Sequence, residues 1–175
     1  MIILVFFKEG DMIDKKKEIY KIILILGILL IFNFILFPTL LGNMGNIKPL
    51  DLKFAYTPNT AYKLIDNYSD SFRYRYILNE LSLDLIYPII YSTLLSWLII
   101  FLFKSQKLAI YPYIIMLVDY LENIGVVILL YKYPQKFIAI AWITSFFSTL
   151  KWLLIVVVVL AIICGSLKIP QNRKM

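Results

Sequence analysis

Histidine is missing altogether from this 175-residue chain, and cysteine occurs once. Without imidazole there is no side chain titrating near neutrality for acid/base work, so histidine-based catalysis is excluded, and neither haem nor zinc is expected. The single Cys164 rules out an intrachain disulfide or a dithiol relay; near the end of the last apolar run it reads as a small hydrophobe. A Gly-rich phosphate cradle, a nucleophile elbow and a histidine-based metal signature are absent too. Charged residues make up only 17% of the chain. Lys and Arg outnumber Asp and Glu by 18 to 11, but they gather at the edges of apolar runs and form no single basic stripe, so nucleic acid is not an expected partner.

What fills the sequence is apolar. Hydrophobic residues account for 61% of it and the mean hydropathy is +0.81, which moves the expectation from a soluble globule to a membrane protein. Four runs approach or exceed the roughly 20 residues that cross a bilayer as a helix: about Ile22 to Leu41, Leu81 to Phe103, Leu108 to Leu130 and Phe137 to Cys164. The expected fold is all-α, an antiparallel four-transmembrane-helix bundle in one membrane domain (22–164). Residues 1–21 and 165–175 flank it. Lys15, Lys16, Lys17 and Lys21, then Lys104 and Lys107, then Lys168, Arg173 and Lys174 mark one side as cytoplasmic by the positive-inside rule. Both termini are therefore expected inside a cell membrane and the 43–80 loop outside.

Met1 to Phe7 is too short to span and no small-residue cleavage site follows, so a signal peptide is not expected. Met12 is the expected true start, with Lys8 to Asp11 as a translated purine-rich leader. In the outer loop, Thr57-Pro58 opens a short helix with Ala61, Leu64, Ile65 and Tyr68 on one face, expected to lie on the membrane surface. Tyr56, Tyr62, Tyr68, Tyr74 and Tyr76 are expected to form an aromatic collar there. Ser69 or Asp70 then caps a helix that continues inward as the second span.

Ionisable residues at membrane depth cost a few kcal/mol unless paired or hydrated, and they usually mark function. Asp119, Glu122 and Asn123 are spaced by three and four, which puts them on one helical face. Lys151 is their expected partner. Asp119 lies about 16 Å below one end of its span and Lys151 about 21 Å below that end of its own, and the lean of helical side chains brings the two together. Arg73, Glu80, Asp84, Tyr87 and Tyr91 share a face on a continuous helix, with Arg73, Arg75 and Glu80 expected in a solvated stripe and Asp84 a turn inside the span. Three carboxyls, Asp84, Asp119 and Glu122, then face one lysine, so at least one should be protonated, bound to a cation or paired with Arg73 or Arg75. Ser145, Ser148 and Thr149 are expected to bond back to their own helix.

The combination of Tyr56-Thr57-Pro58, Asp84 to Pro88 (DLIYP), Asp119 to Asn123 (DYLEN) and Thr149 to Trp152 (TLKW) resembles a family of small, uncharacterised four-span membrane proteins of bacteria and fungi, over roughly Tyr20 to Ile162. That resemblance implies the same residues and no activity.

Three functions stay open on the sequence. Asp84, Tyr87, Asp119, Glu122, Asn123 and Lys151 bind a small polar, cationic or lipid-headgroup ligand; transport would then call for a homo-oligomer or a membrane partner. Alternatively Asp84, Asp119, Glu122 and Lys151 are the acid/base residues of an enzyme acting on a lipid-like substrate, with a divalent cation as one role for paired acids. The third is an assembly or immunity factor whose polar groups only hold helices together.

Overall fold

The computed structural model describes residues 15–42 and 48–168; the expectations for Met1 to Phe7, Lys8 to Asp11, Met12, Arg173 and Lys174 lie outside the described residues. Helices run through α1 (Lys15–Ile31), a π-helical turn (Phe32–Leu36), α2 (Phe37–Leu41), α3 (Pro58–Asp66), α4 (Asp70–Glu80), α5 (Leu83–Phe103), α6 (Tyr111–Lys132) and α7 (Ile138–Lys168). Four stretches are long and apolar enough to cross a membrane: Lys17–Leu41, Leu83–Phe103, Leu108–Lys132 and Ile138–Leu167. The first joins α1, the π turn and α2 into one span. The four alternate in direction, as their connections require.

Proline shapes two of the spans. Pro38 cannot donate to the preceding turn, and the chain just before it widens into the π turn, where the Phe37 N–H reaches Phe32 O. Pro88, inside α5, leaves the Asp84 carbonyl without its helical donor. The Asn123 amide of α6 supplies that donor at 3.3 Å. Ser92 and Ser96 of α5 similarly donate to Pro112 O and Ala109 O at the start of α6, at 2.8 and 2.7 Å. These bonds stitch the two helices together, and the one to Asp84 O also fills the acceptor that Pro88 leaves open.

The tightest seam is α6 against α7. A Cβ built on Gly125 would sit 2.2 Å from Thr144 Oγ1 and 2.9 Å from its Cγ2, so only glycine lets the helices come this close. Gly125→Ala is expected to cost about 1–3 kcal/mol by overpacking. Thermal unfolding in nanodiscs checks this, with Thr144→Ala expected to return part of the loss in the double variant.

The 48–80 region holds the expected short amphipathic helix, but its tyrosines do not form the expected collar. Thr57 caps α3 through the Thr60 N–H at 3.2 Å, but α3 packs its apolar face into the bundle: Ala61, Tyr62, Ile65 and Tyr68 share a core with Val126, Leu129 and Leu130 of α6 and Ala141 of α7. Of the five tyrosines only Tyr74 is exposed, at 65%. Three of the other four rings have hydroxyls with partners indoors: Tyr62 accepts from Phe137 N at 2.6 Å, Tyr68 donates to Lys48 O at 2.8 Å, and Tyr76 accepts from Leu50 N at 2.8 Å. An amphipathic ring with a satisfied hydroxyl suits a core as well as a headgroup layer.

The second departure is a break. α4 ends at Glu80 and α5 begins at Leu83, with Leu81 and Ser82 as a turn between them. The Leu81 N–H closes on Ile77 O at 3.1 Å and the Ser82 hydroxyl bends back to Leu78 O, a local bond that competes with helix continuation. Arg73 and Glu80 therefore do not share a face with Asp84, Tyr87 and Tyr91. Asp84 lies in the first turn of α5, at the positive end of that helix dipole, instead of a turn inside a continuous helix.

Candidate functional site

Lys151 of α7 meets two carboxylates of α6. Its Nζ is 3.1 Å from Asp119 Oδ1 and in contact with Glu122 Oε2, and all three side chains are buried. Tyr91 donates to the other oxygen of Asp119 at 2.8 Å, and Ser148 donates to the other oxygen of Glu122. Every carboxylate oxygen of this triad is thus engaged. Two buried acids around one lysine form a self-contained clasp between α6 and α7, which is why Lys151 does not extend to the bilayer surface.

A cavity of about 510 Å³ opens beside the clasp. Asp119, Asn123 and Lys151 form part of its wall, together with Asp84 and Tyr87; Glu122 does not reach it. Residues that the sequence reading passed over complete the polar end: Asp51, Tyr76 and Asn79, with Asn33 across from them on the first span. Asn79 donates its amide to Asp84 Oδ2, and Tyr76 donates to Asp51. The carbonyl oxygen of Asn79, on a side chain only 3% exposed, has no hydrogen-bond partner among the described residues. Asn33, in the π turn, donates to Leu29 O at 2.8 Å and to the Tyr87 hydroxyl at 2.9 Å. Away from this end the walls are apolar, with Leu94, Leu95, Ile155 and Val159.

Neither Arg73 nor Arg75 pairs with Asp84, which removes one of the three alternatives left open by the sequence. Arg73 donates to Tyr68 O at 2.6 Å, pairs with Asp70 and lies 4.5 Å from the Tyr133 ring centroid. Arg75 has its guanidinium beside Gly42, whose φ of +75° suits glycine. The hydroxyls of α7 also differ from expectation: Thr149 bonds back to Ser145 O at 2.9 Å, but Ser148 serves Glu122 and Ser145 accepts from Tyr56 N at 3.0 Å. No group of three or more His, Cys, Asp or Glu among the described residues is gathered so as to hold a metal ion.

Glu80 is the largest surprise. Expected in a solvated stripe, it is 1% exposed, and neither carboxyl oxygen has a hydrogen-bond partner among the described residues. Burial, then the nearby Asp51 and Asp84 carboxylates, push its pKa well above the ordinary 4.5. Asp51 is pushed up too, by burial, with Lys151 and the Tyr76 hydroxyl acting against the shift. A carboxyl whose pKa rises on folding holds its proton better in the folded state. Its contribution is full below about 4.5 and is lost as pH climbs through the folded value. Glu80→Gln should therefore flatten the decline of stability above pH 4.5. Unfolding midpoints of both chains between pH 4 and 9 check it.

The chain matches no family model, no curated protein and no solved structure. Its site stands on its own geometry.

Proposed function

We propose that the protein binds a small organic cation in this cavity, whose polar end lies toward α3 and α4. The carrying observation is charge: Asp51, Asp84 and Asp119 line the polar end, and the only cation there among the described residues, Lys151, is already held by Asp119 and Glu122. Carboxylates in a partly desolvated pocket attract a positive ligand more strongly than the same groups do in water. The rings of Phe37, Tyr76, Tyr87, Tyr91 and Trp152 around the cavity favour an organic ammonium through cation–π attraction. A phosphate or carboxylate ligand would meet repulsion with no free basic group to receive it. The basic residues at the opposite end of the spans support an orientation with α3 and α4 outside a cell membrane.

The test compares three molecules of one skeleton, added to the protein in nanodiscs: phenethylamine, 2-phenylethanol and phenylacetate. Phenethylamine alone should raise the unfolding midpoint, with a concentration dependence following mass action. Equal stabilisation by the alcohol, or stabilisation by phenylacetate, overturns the reading.

A further inference from the structure

The cavity is longer than an ammonium group needs, and its two halves differ. The polar half is lined by Asn79 and Asp84, and within that wall the Asn79 carbonyl oxygen is buried and without a partner among the described residues. An acceptor in that position calls for an N–H donor, which a quaternary ammonium lacks. The apolar half follows α5 from Asp84 to Leu95, about 16 Å along the helix axis. Leu29 of the first span and Ile155 and Val159 of α7 face the same space.

Access is also unequal. Residues 48–57 cross the polar end as a cap, with Pro49, Asp51 and Leu52 contributing to the cavity wall. The cap is pinned on both sides: Leu50 N to the Tyr76 hydroxyl at 2.8 Å, Tyr56 N to Ser145 Oγ at 3.0 Å, and Phe54 O from Thr149 Oγ1 at 3.1 Å. Sideways, no such closure is present among the described residues. The first span packs on α5 and has only slight contact, if any, with α7, yet both line the cavity. Outside, the first span presents apolar residues such as Ile23, Leu24 and Phe34 to the bilayer.

The geometry points to a single-chain amphiphile bearing a primary or secondary amine, reached sideways from the bilayer between the first span and α7, with its ammonium at Asp84 and Asn79 and its chain along Leu94, Leu95 and Ile155. This rests on the cation reading above and narrows it to a ligand class and a route. The volume, about 510 Å³, falls among sites for one compact or single-chain ligand and is too small for a two-chain lipid. A phosphate-bearing headgroup is disfavoured as well, because Lys151 is engaged.

The experiment is calorimetric titration of the protein in nanodiscs, corrected against protein-free nanodiscs, with dodecylamine, butylamine, dodecyltrimethylammonium and dodecanol. Dodecylamine should bind saturably with one site per chain, at least tenfold more tightly than butylamine or dodecyltrimethylammonium, and dodecanol should show no saturable binding. Asn79→Leu should reduce the preference for dodecylamine over dodecyltrimethylammonium. Leu29→Trp, placed at the side opening, should weaken dodecylamine and leave butylamine unchanged. Butylamine matching dodecylamine overturns the amphiphile and leaves the cation reading standing. Dodecanol matching dodecylamine overturns both. Saturable binding of none of the four overturns the amphiphile, while the phenethylamine comparison still decides the cation reading. Leu29→Trp weakening both amines alike, or neither, overturns the side route.

Discussion

Replacing Lys151 with methionine is expected to destabilise the protein by about 3–5 kcal/mol, the cost of leaving buried carboxylates without their counter-charge. The side chain is 6% exposed and engages both Asp119 and Glu122, so its removal orphans two acids at once. Asp119→Asn is expected to be far milder, because Glu122 still neutralises the lysine and the new amide can still accept from Tyr91. That asymmetry separates a three-residue clasp from a simple pair. In a simple pair, Asp119→Asn with Lys151→Met would restore the fold. Here the double variant should recover only in part, since Glu122 keeps only the Ser148 hydroxyl, and adding Glu122→Gln should complete the recovery. Denaturant unfolding of the single, double and triple variants in one detergent checks the series. A Lys151→Met chain as stable as the parent would remove the clasp from the account.

Asp84→Asn is expected to do the opposite: to leave the fold nearly unchanged and weaken amine binding by about 10- to 100-fold, the range for losing one charged hydrogen bond. Asp84 is half-buried, has no arginine or lysine paired to it, and borders the cavity at the first turn of α5. Its removal loses some favourable dipole interaction, worth well under the clasp. Phenethylamine titration monitored by unfolding midpoint reads both quantities in one experiment. Stability lost together with binding would place Asp84 in the scaffold.

The spans were legible because hydropathy over 20 residues is a strong signal, and so was the meeting of Lys151 with Asp119. Spacings of three and four fix a helical face, and rise per residue fixes depth. The structure adds Glu122 as a second acid on the same lysine. What the sequence concealed has one physical source, the region between residues 48 and 82. Asp51 sits in irregular chain with no period to read, and only the Tyr76 hydroxyl, 25 residues away, brings it to the cavity. Reading 70–103 as one helix put Glu80 on the wrong face and hid Asn79, because the turn at Leu81 and Ser82 resets the helical phase. A serine ahead of Leu83-Asp84, with an acid in the first turn, was the available signal for that restart. Asn123 was read as a ligand-binding residue, and the structure adds a second role, its amide N–H serving the carbonyl left open by Pro88. Residue types do not show which carboxylate oxygens are already engaged, and that pairing is what supports reading Asp119, Glu122 and Lys151 as a clasp.

The most direct measurement is the identity of what the protein holds when it is taken from its own membrane into polymer-bounded discs and opened by native mass spectrometry. A single-chain molecule carrying a protonatable amine, at about one per chain in the parent and depleted in a folded Asp84→Asn, is the expected result. Phospholipid of bulk composition in both chains, with no amine enriched in either, would contradict it.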